Sequence, residues 1–361
     1  EVIMVCQFIH KKLALIMNQI PFCKTTLGEE EIEAITRVIK SGWVILGPVT
    51  KEFEEKFGQR FGFSNVISLN SGTSALDLAY ELAGIREGDE VITPVLTCTA
   101  TNIPLVHKKA TIVFADIDRD LNISVEDVKR KITPKTKAIV FVHFGGNNRG
   151  LKELLGVCRD KNIKLIEDAA QAIASSFWGK ADYTCVSLQA IKTLTAGDGG
   201  VLICKDSSDH QRAKRLRWFG YDRELKQKQG DTDLLEPGYK YHMNDIAASI
   251  ALGNLESFDK ILSHHNRLIA EYASYDVLAF PWFALIFSDR RNALMGFLKD
   301  NGIDSGMHHY RNDKYTIFGG RKEFPIMDEL EDKYLLLPLH KDVSVSDVDY
   351  ICGCIKKFNE I

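Results

Sequence analysis

Long hydrophobic runs are missing from this 361-residue chain. Its most apolar late stretch, residues 277–287, is eleven residues long and contains Pro281, whereas a membrane-spanning helix needs ~20 apolar residues. A transmembrane span is therefore excluded. A charge excess is missing too: 46 Lys and Arg against 49 Asp and Glu leave a formal charge of −3, and no basic tract stands out. That removes the electrostatic footprint of a nucleic-acid binder. The eight cysteines, at positions 6, 23, 98, 158, 185, 204, 352 and 354, show no C-x-x-C spacing. Neither a zinc site nor a disulfide framework is suggested, and reduced thiols fit a cytoplasmic protein. No G-x-G-x-x-G follows the first β-rich run, which disfavours a nicotinamide-binding fold. What is present is 45% apolar and 26% charged composition, enough for a large core and two lobes.

Residues 1–16 (EVIMVCQFIHKKLALI) place His10, Lys11 and Lys12 inside an apolar stretch. This breaks the charge-then-apolar order of a signal peptide. They are expected to be an extraneous or loosely ordered extension ahead of a natural start at Met17.

From Glu29 onward, helical periodicity alternates with short β-rich runs. Ile32, Ile35, Val38 and Ile39 recur at three- and four-residue spacing, which predicts a buried helical face ending at Gly42. A second helix is expected near Lys51 to Phe61. Seven strands are expected: 66–69, 90–93, 111–114, 138–142, 164–167, 184–188 and 201–204. Helices over 73–83, 125–131 and 151–161 separate several of them. Such alternation means βαβ units and a mostly parallel sheet covered on both faces. Residues 205–236 are polar and are expected to be a surface excursion. A mixed pattern near the end of the chain suggests a smaller lobe, with residues 17–250 as the large domain and 251–361 as the small one.

In an open parallel sheet, ligands sit at the carboxyl ends of the strands. Four places there stand out. Ser71-Gly72-Thr73-Ser74 lies between a strand and a helix, where free N–H groups, hydroxyls and the positive helix end favour a phosphate; Ser and Thr are also ordinary helix caps there. Glu167 and Asp168 close an apolar run, as a catalytic acid, a metal ligand, a partner for a cationic ligand nitrogen or a cap for the next helix; no second acidic or His cluster supports a metal. Ser187 and Lys192 precede the Gly197-Asp198-Gly199-Gly200 turn, and Lys192 has mostly apolar neighbours, a setting that suits a nucleophilic amine. Tyr239, Lys240, Tyr241, His242 and Asn244 precede an alanine-rich helix, which they either serve as anchors or extend toward a ligand. A phosphate cradle, an acid and a reactive lysine in this order are what pyridoxal 5′-phosphate requires.

The segments SGWVILGPVTKEFEEKF, SLNSGTSALDLA, GDEVITPVLTCTATNIP, IEDAAQAI, VSLQAIKTLTAGDGG, GYKYHMNDIAASIALGNLE and LPLHKDVSVSDVDYI resemble the sugar aminotransferases of the DegT/DnrJ/EryC1/StrS type. The resemblance runs from about Ile20 to the end. It implies an α/β fold like that of aspartate aminotransferase, with a seven-stranded, mostly parallel sheet sandwiched by helices and a smaller C-terminal α+β lobe. It also implies a pyridoxal-phosphate enzyme that moves an amino group from L-glutamate to a nucleotide-linked keto-sugar, and a homodimer with each site built across its two-fold interface. The QAIK and GYKYHMND forms look most like enzymes of 4-keto-6-deoxyhexoses, with products for amino-sugar or surface-polysaccharide (lipopolysaccharide, O-antigen) biosynthesis.

By position, Lys192 matches the lysine that forms a Schiff base with the cofactor, and Asp168 the acid facing its ring nitrogen. Gln171 matches the residue near the ring and its 3′-oxygen, while Gly72, Thr73, Ser187 and, more weakly, Ser74 match phosphate contacts. Two positions depart from the pattern. Cys98 stands where the family usually has an aromatic ring stacked on the cofactor, and Lys240 where many members carry an Asn that reaches the partner's phosphate. The turn between Gly179 and Tyr183 and the segment from Tyr275 to Asp289 also look short. These departures motivate an alternative, a catalytically impaired cofactor-binding or regulatory relative. A pyridoxamine-dependent sugar dehydratase is disfavoured, because such relatives carry His where Lys192 stands. His308, His309, Arg311 and Asn312 lie where family members often contact substrate, or form a solvated turn.

Overall fold

The computed structural model describes residues 19–25 and 27–360; the expectation for residues 1–16 lies outside the described residues. Two compact units emerge. The larger holds residues 27–259 and 309–328, and the smaller holds residues 19–25, 260–308 and 329–360.

The larger unit is built on a seven-stranded sheet: β1 (Val66–Leu69), β2 (Glu90–Pro94), β3 (Thr111–Ala115), β4 (Thr136–Val142), β5 (Lys164–Asp168), β6 (Tyr183–Ser187) and β7 (Gly200–Cys204). Their order is β1-β7-β6-β5-β4-β2-β3. Only β7 runs against its neighbours, pairing antiparallel with both β1 and β6. All seven strands fall where the sequence pattern put them, because each is a short apolar run; all but the edge strand β3, whose first three residues are exposed or half-buried, are buried along most of their length. Alternate residues serve opposite cores: Ala138, Val140 and Val142 of β4 join one cluster with Leu76 and Leu105, and Ile139 and Phe141 join the other with Leu151 and Leu154.

Two expectations change. The helix Glu29–Ser41 does end at Gly42, whose φ of 71° suits glycine. Its buried residues, however, are Glu31, Ala34 and Val38, while Ile32 and Ile39 are 54% and 59% exposed. Glu31 reaches inward because it accepts from Asn254 Nδ2 at 2.7 Å and from the Gly28 N–H at 2.6 Å. Two polar anchors thus rotate the helix and leave its isoleucines outside. The polar stretch 205–236 is also more ordered than a plain excursion, with helices Ser207–Leu216 and Arg223–Gln229 started by the side-chain caps Asp206 and Asp222.

The smaller unit folds a three-stranded antiparallel sheet, β8 (Leu278–Ala279), β9 (Ala284–Phe287) and β10 (Tyr334–Leu337), in the order β10-β9-β8. Leu268, Tyr272, Leu294, Leu298, Leu335 and Ile351 are among the residues of its core. The segment Tyr275–Asp289 forms most of the β8–β9 hairpin.

In the larger unit, Asp245 closes a long-range junction. Its carboxylate accepts from the N–H groups of Gly47, Val49 and Thr50 at 2.9, 3.2 and 3.0 Å and from the Thr50 hydroxyl at 2.5 Å. It thereby caps the helix Pro48–Phe61 from 195 residues away. Asp245→Ala would strand these donors in a buried place, so the variant is expected to lose about 3 kcal/mol of stability. Urea unfolding of the purified protein measures this, and a loss below about 0.5 kcal/mol contradicts the assigned role.

Candidate active site

The site forms where β1, β5 and β6 end. Beyond β1, Ser71 caps the helix Gly72–Leu82 by accepting from the Ser74 N–H at 3.0 Å. Ser74 is buried and its hydroxyl donates to Asn70 Oδ1 at 2.6 Å, so it is engaged in the cap. Thr73 is exposed on the first helical turn. Gly72 sits against the end of β6: a Cβ built there would lie 2.8 Å from Ser187 Cβ. Glycine is required for this approach, which brings Gly72, Thr73 and Ser187 together at the positive helix end.

Side-chain alternation separates the two acids at the end of β5. Glu167 faces one side, fully buried. It accepts from the N–H groups of Gly179, Lys180 and Ala181 at 2.9, 2.6 and 2.7 Å and pairs with His143 Nε2 at 2.7 Å. Burial pushes its pKa up, but the His143 hydrogen bond and charge and the backbone donors outweigh this and hold it below the ordinary carboxylate value. Glu167 is therefore the staple of the turn Gly179–Ala181.

Asp168 faces the other side, 5% exposed. Its carboxylate accepts from Thr101 Oγ1 at 2.7 Å and from the Ala170 N–H at 3.2 Å. Burial raises its pKa, and these bonds and the positive charge of Lys192 only partly oppose the rise. Both of these hydrogen-bond donors are neutral, and Lys192 adds positive charge. Thr101, held in turn by Thr97 Oγ1 at 2.8 Å, escaped the sequence reading; its only signal was the hydroxyl-rich TCTAT after β2.

Lys192 lies in a half-buried turn on a loop closed at its neck, where Leu188 N–H donates to Gly199 O at 2.9 Å and Ala196 N–H to Leu188 O at 2.8 Å. Cys98 begins the helix Thr99–His107, half-buried. Burial, the first cause, raises its thiol pKa, with Asp168 raising it further and Lys192 opposing. The thiol therefore stays protonated at neutral pH. Gln171 Oε1 accepts from the Gly145 N–H at 2.6 Å, and its Nε2 meets His309 Nε2 at 3.0 Å. Lys240 is exposed on a segment beside β1, bridged to Trp218, and its carbonyl accepts from Asn70 Nδ2 at 3.4 Å.

The 308–312 segment divides. Arg311 is fully buried, bonded to Asp313, Asp328 and the Lys322 carbonyl, and Asn312 donates to Thr97 O at 2.7 Å. Both are buried, so they do not form a solvated turn. His309 meets Gln171, whereas His308 belongs to the smaller unit, 4.7 Å from the Trp282 ring.

A buried carboxylate bonded by neutral donors, a lysine whose charge acts on it and an anion cradle at the sheet end fit pyridoxal 5′-phosphate, whose ring nitrogen is cationic and whose phosphate is anionic. The model of the DegT/DnrJ/EryC1/StrS aminotransferase family matches residues 25–356. The chain belongs to that family. Protein MJ1066 of Methanocaldococcus jannaschii is 32% identical over 94% of this chain and 97% of its own. The structure of the sugar aminotransferase CalS13 from Micromonospora echinospora aligns at 31% identity with a TM-score of 0.88, covering 94% of this chain and 99% of that one. The putative sugar aminotransferase Spr1654 from Streptococcus pneumoniae, solved in its PLP form, is 26% identical with a TM-score of 0.88, over 95% and 99% of the two chains. This chain is thus an aminotransferase that uses pyridoxal 5′-phosphate.

The two acids should respond to pH in opposite ways. Glu167, whose pKa falls on folding, contributes stability at neutral pH that is lost as pH drops through its folded value. Asp168, whose pKa rises on folding, contributes stability in acid that is lost as pH climbs through its folded value. In cofactor-free protein, Glu167→Gln is expected to lower the melting temperature at pH 7, and by less at pH 4. Asp168→Asn is expected to raise it relative to wild type at pH 7 more than at pH 4. Thermal melts at the two pH values check both signs.

Proposed function

We propose that this aminotransferase takes nitrogen from L-glutamate and delivers it to a nucleotide-linked keto-sugar, a 4-keto-6-deoxyhexose, for amino-sugar or surface-polysaccharide biosynthesis. The carrying observation is the full-length likeness to CalS13, described as a sugar aminotransferase, combined with a lysine and a buried acid at the strand ends. The bound cofactor supplies an electron sink for the carbon that loses its proton.

In this reading, Asp168 faces the ring nitrogen and keeps a proton there. Gly72 and Thr73 N–H groups and the Ser187 hydroxyl hold the phosphate, with Ser74 supporting them through the cap. Gln171 and Cys98 border the ring; Cys98 is too small to stack as an aromatic side chain would. The Lys192 amine would hold the cofactor and then, as base and acid, carry the proton between the donor Cα and the cofactor's C4′.

Lys240 belongs to the site of a second copy. Its exposure favours a homodimer, as do Ile32, Ile39, Ile45 and Leu27, which are 54%, 59%, 48% and 40% exposed on one short stretch of sequence. A cytoplasmic setting is supported by the unoxidised thiols of Cys98, Cys158, Cys185, Cys204, Cys352 and Cys354. Among the described residues no helix is long and apolar enough to cross a membrane.

Cofactor-loaded wild type should be yellow, and Lys192→Ala should lack the absorbance of the lysine-bound form. L-Glutamate should bleach the colour. Enzyme loaded with pyridoxamine 5′-phosphate should then aminate at least one member of a panel of nucleotide-linked keto-sugars, followed by mass spectrometry. Colour that glutamate leaves unchanged favours a cofactor-binding relative without turnover; amination of none of the panel overturns the acceptor assignment.

A further inference from the structure

Asp168 is reached by a row of two hydroxyls whose direction can be assigned. Thr97 Oγ1 lies 2.8 Å from Thr101 Oγ1, and Thr101 Oγ1 lies 2.7 Å from Asp168 Oδ2. All three side chains are buried. A hydroxyl carries one hydrogen, and an ionised carboxylate only accepts. The Thr101 hydrogen therefore points at Asp168, and the Thr97 hydrogen at Thr101. The row runs one way, toward the carboxylate.

A proton on Asp168 is incompatible with this row. Placed on Oδ2, it turns Thr101 into an acceptor on that side, so Thr101 must donate to Thr97. The Thr97 hydrogen then has no acceptor among the described residues. Placed on Oδ1, the proton weakens the acceptor of the Ala170 N–H, 3.2 Å away. A buried donor left without a partner is costly, so the row favours the ionised acid.

The backbone keeps both hydroxyls in place. β2 ends at Pro94, and the helix Thr99–His107 starts behind Cys98, so Thr97 and Thr101 stand about one helical turn apart. Asn312 clamps this approach: its N–H donates to Val95 O at 2.6 Å and its Nδ2 to Thr97 O at 2.7 Å. Its Oδ1 accepts in turn from Asn102 Nδ2 at 2.8 Å. The Tyr80 hydroxyl donates to Thr101 O at 2.7 Å. None of these bonds uses either threonine Oγ1, which leaves the two hydroxyls to each other and to Asp168.

The other groups around Asp168 do not replace the row. Burial raises the Asp168 pKa, and the Thr101 bond is the largest influence against that rise, ahead of the Ala170 N–H and the charges of Lys192 and His143. The thiols of Cys98 and Cys185 and the phenol of Tyr80 are raised by burial, and the charge of Asp168 adds to the rise. They stay neutral at pH 7.

We propose that Thr97 and Thr101 are positioning residues that hold Asp168 ionised for the cofactor's ring nitrogen. This rests on the role proposed above for Asp168.

Two measurements separate the row from that role. Valine keeps the shape of threonine and removes the hydroxyl, whereas serine keeps the hydroxyl. In cofactor-free protein, losing the donor raises the folded pKa of Asp168 further, so stability is lost as pH climbs through it. Thr101→Val should therefore lower the melting temperature more at pH 7 than at pH 4, and Thr97→Val should do so by a smaller margin. In the holoenzyme, the absorbance of the lysine-bound cofactor is titrated with pH. Its midpoint should rise by about one unit in Thr101→Val, because a ring that loses its proton withdraws fewer electrons. The kcat should fall about tenfold, with KM for the amino donor within about twofold. Thr101→Ser and Thr97→Ser should return both readouts to wild type. Thr97→Val, one bond removed from the carboxylate, carries the test if Thr101→Val does not fold. Equal losses of melting temperature at both pH values, or serine variants that shift as the valine variants do, overturn the row. A pH-dependent loss in cofactor-free protein with an unshifted holoenzyme midpoint keeps the row and overturns the ring-nitrogen role of Asp168.

Discussion

A carboxylate held out of water needs positive charge, and Asp168 has only an alcohol and an amide to bond. Much of the surrounding geometry follows from that deficit. β5 delivers the carboxylate at the centre of the sheet, Thr101 fixes one oxygen and Lys192 adds positive charge. Folding places the acid where its ionised form is least comfortable, and a cationic ring relieves it. The discomfort is confined to one face of β5. On the opposite face Glu167 is just as buried, yet it is saturated by three backbone donors and a histidine. Adjacent carboxylates thus serve cofactor and scaffold because the strand period is two.

The sheet was legible in the sequence because all its strands but the edge strand β3 are buried along most of their length, and continuous apolar runs separated by helical periodicity leave few other arrangements. The chain order of Gly72, Asp168, Ser187 and Lys192 carried the cofactor chemistry for a related reason: strand ends collect at one edge of a parallel sheet. Features fixed by single long-range polar contacts stayed hidden. The outward turn of Ile32 and Ile39 depends on Glu31 meeting Asn254, and the burial of Arg311 depends on Asp328; neither pairing has a periodic signature. Thr101 was hidden among ordinary hydroxyls, and the direction of its bond with Thr97 emerges only when the partner of each hydroxyl is traced. Sequence also pointed to Glu167 and Asp168 together without separating their duties, since only the pleat does that.

Three glycines set the tolerances at the cradle. Gly72 lets the helix start touch Ser187, Gly200 lets β7 pass beneath Ser71, where a Cβ would lie 2.3 Å from the Ser71 carbonyl oxygen, and Gly199 makes room for Met243, with 2.7 Å to its Cε. The anion site is therefore made by backbone proximity more than by side-chain reach. The turn at Gly179 is governed in the same manner by the Glu167 donors, so its shortness is compatible with a defined conformation.

The place of β7 has a consequence for the order in which the protein can assemble. The only strand that pairs with β1 is β7, Val66 lying opposite Ile203 and Leu69 opposite Gly200. Contacts that distant in sequence form late, because a long loop must close before they are rewarded. During synthesis from the N-terminus, the first strand must wait for the last one of its sheet, and the helix that follows it waits with it. The phosphate cradle is consequently among the final parts of this unit to be completed, and its capacity to hold an anion is a signature of a finished sheet.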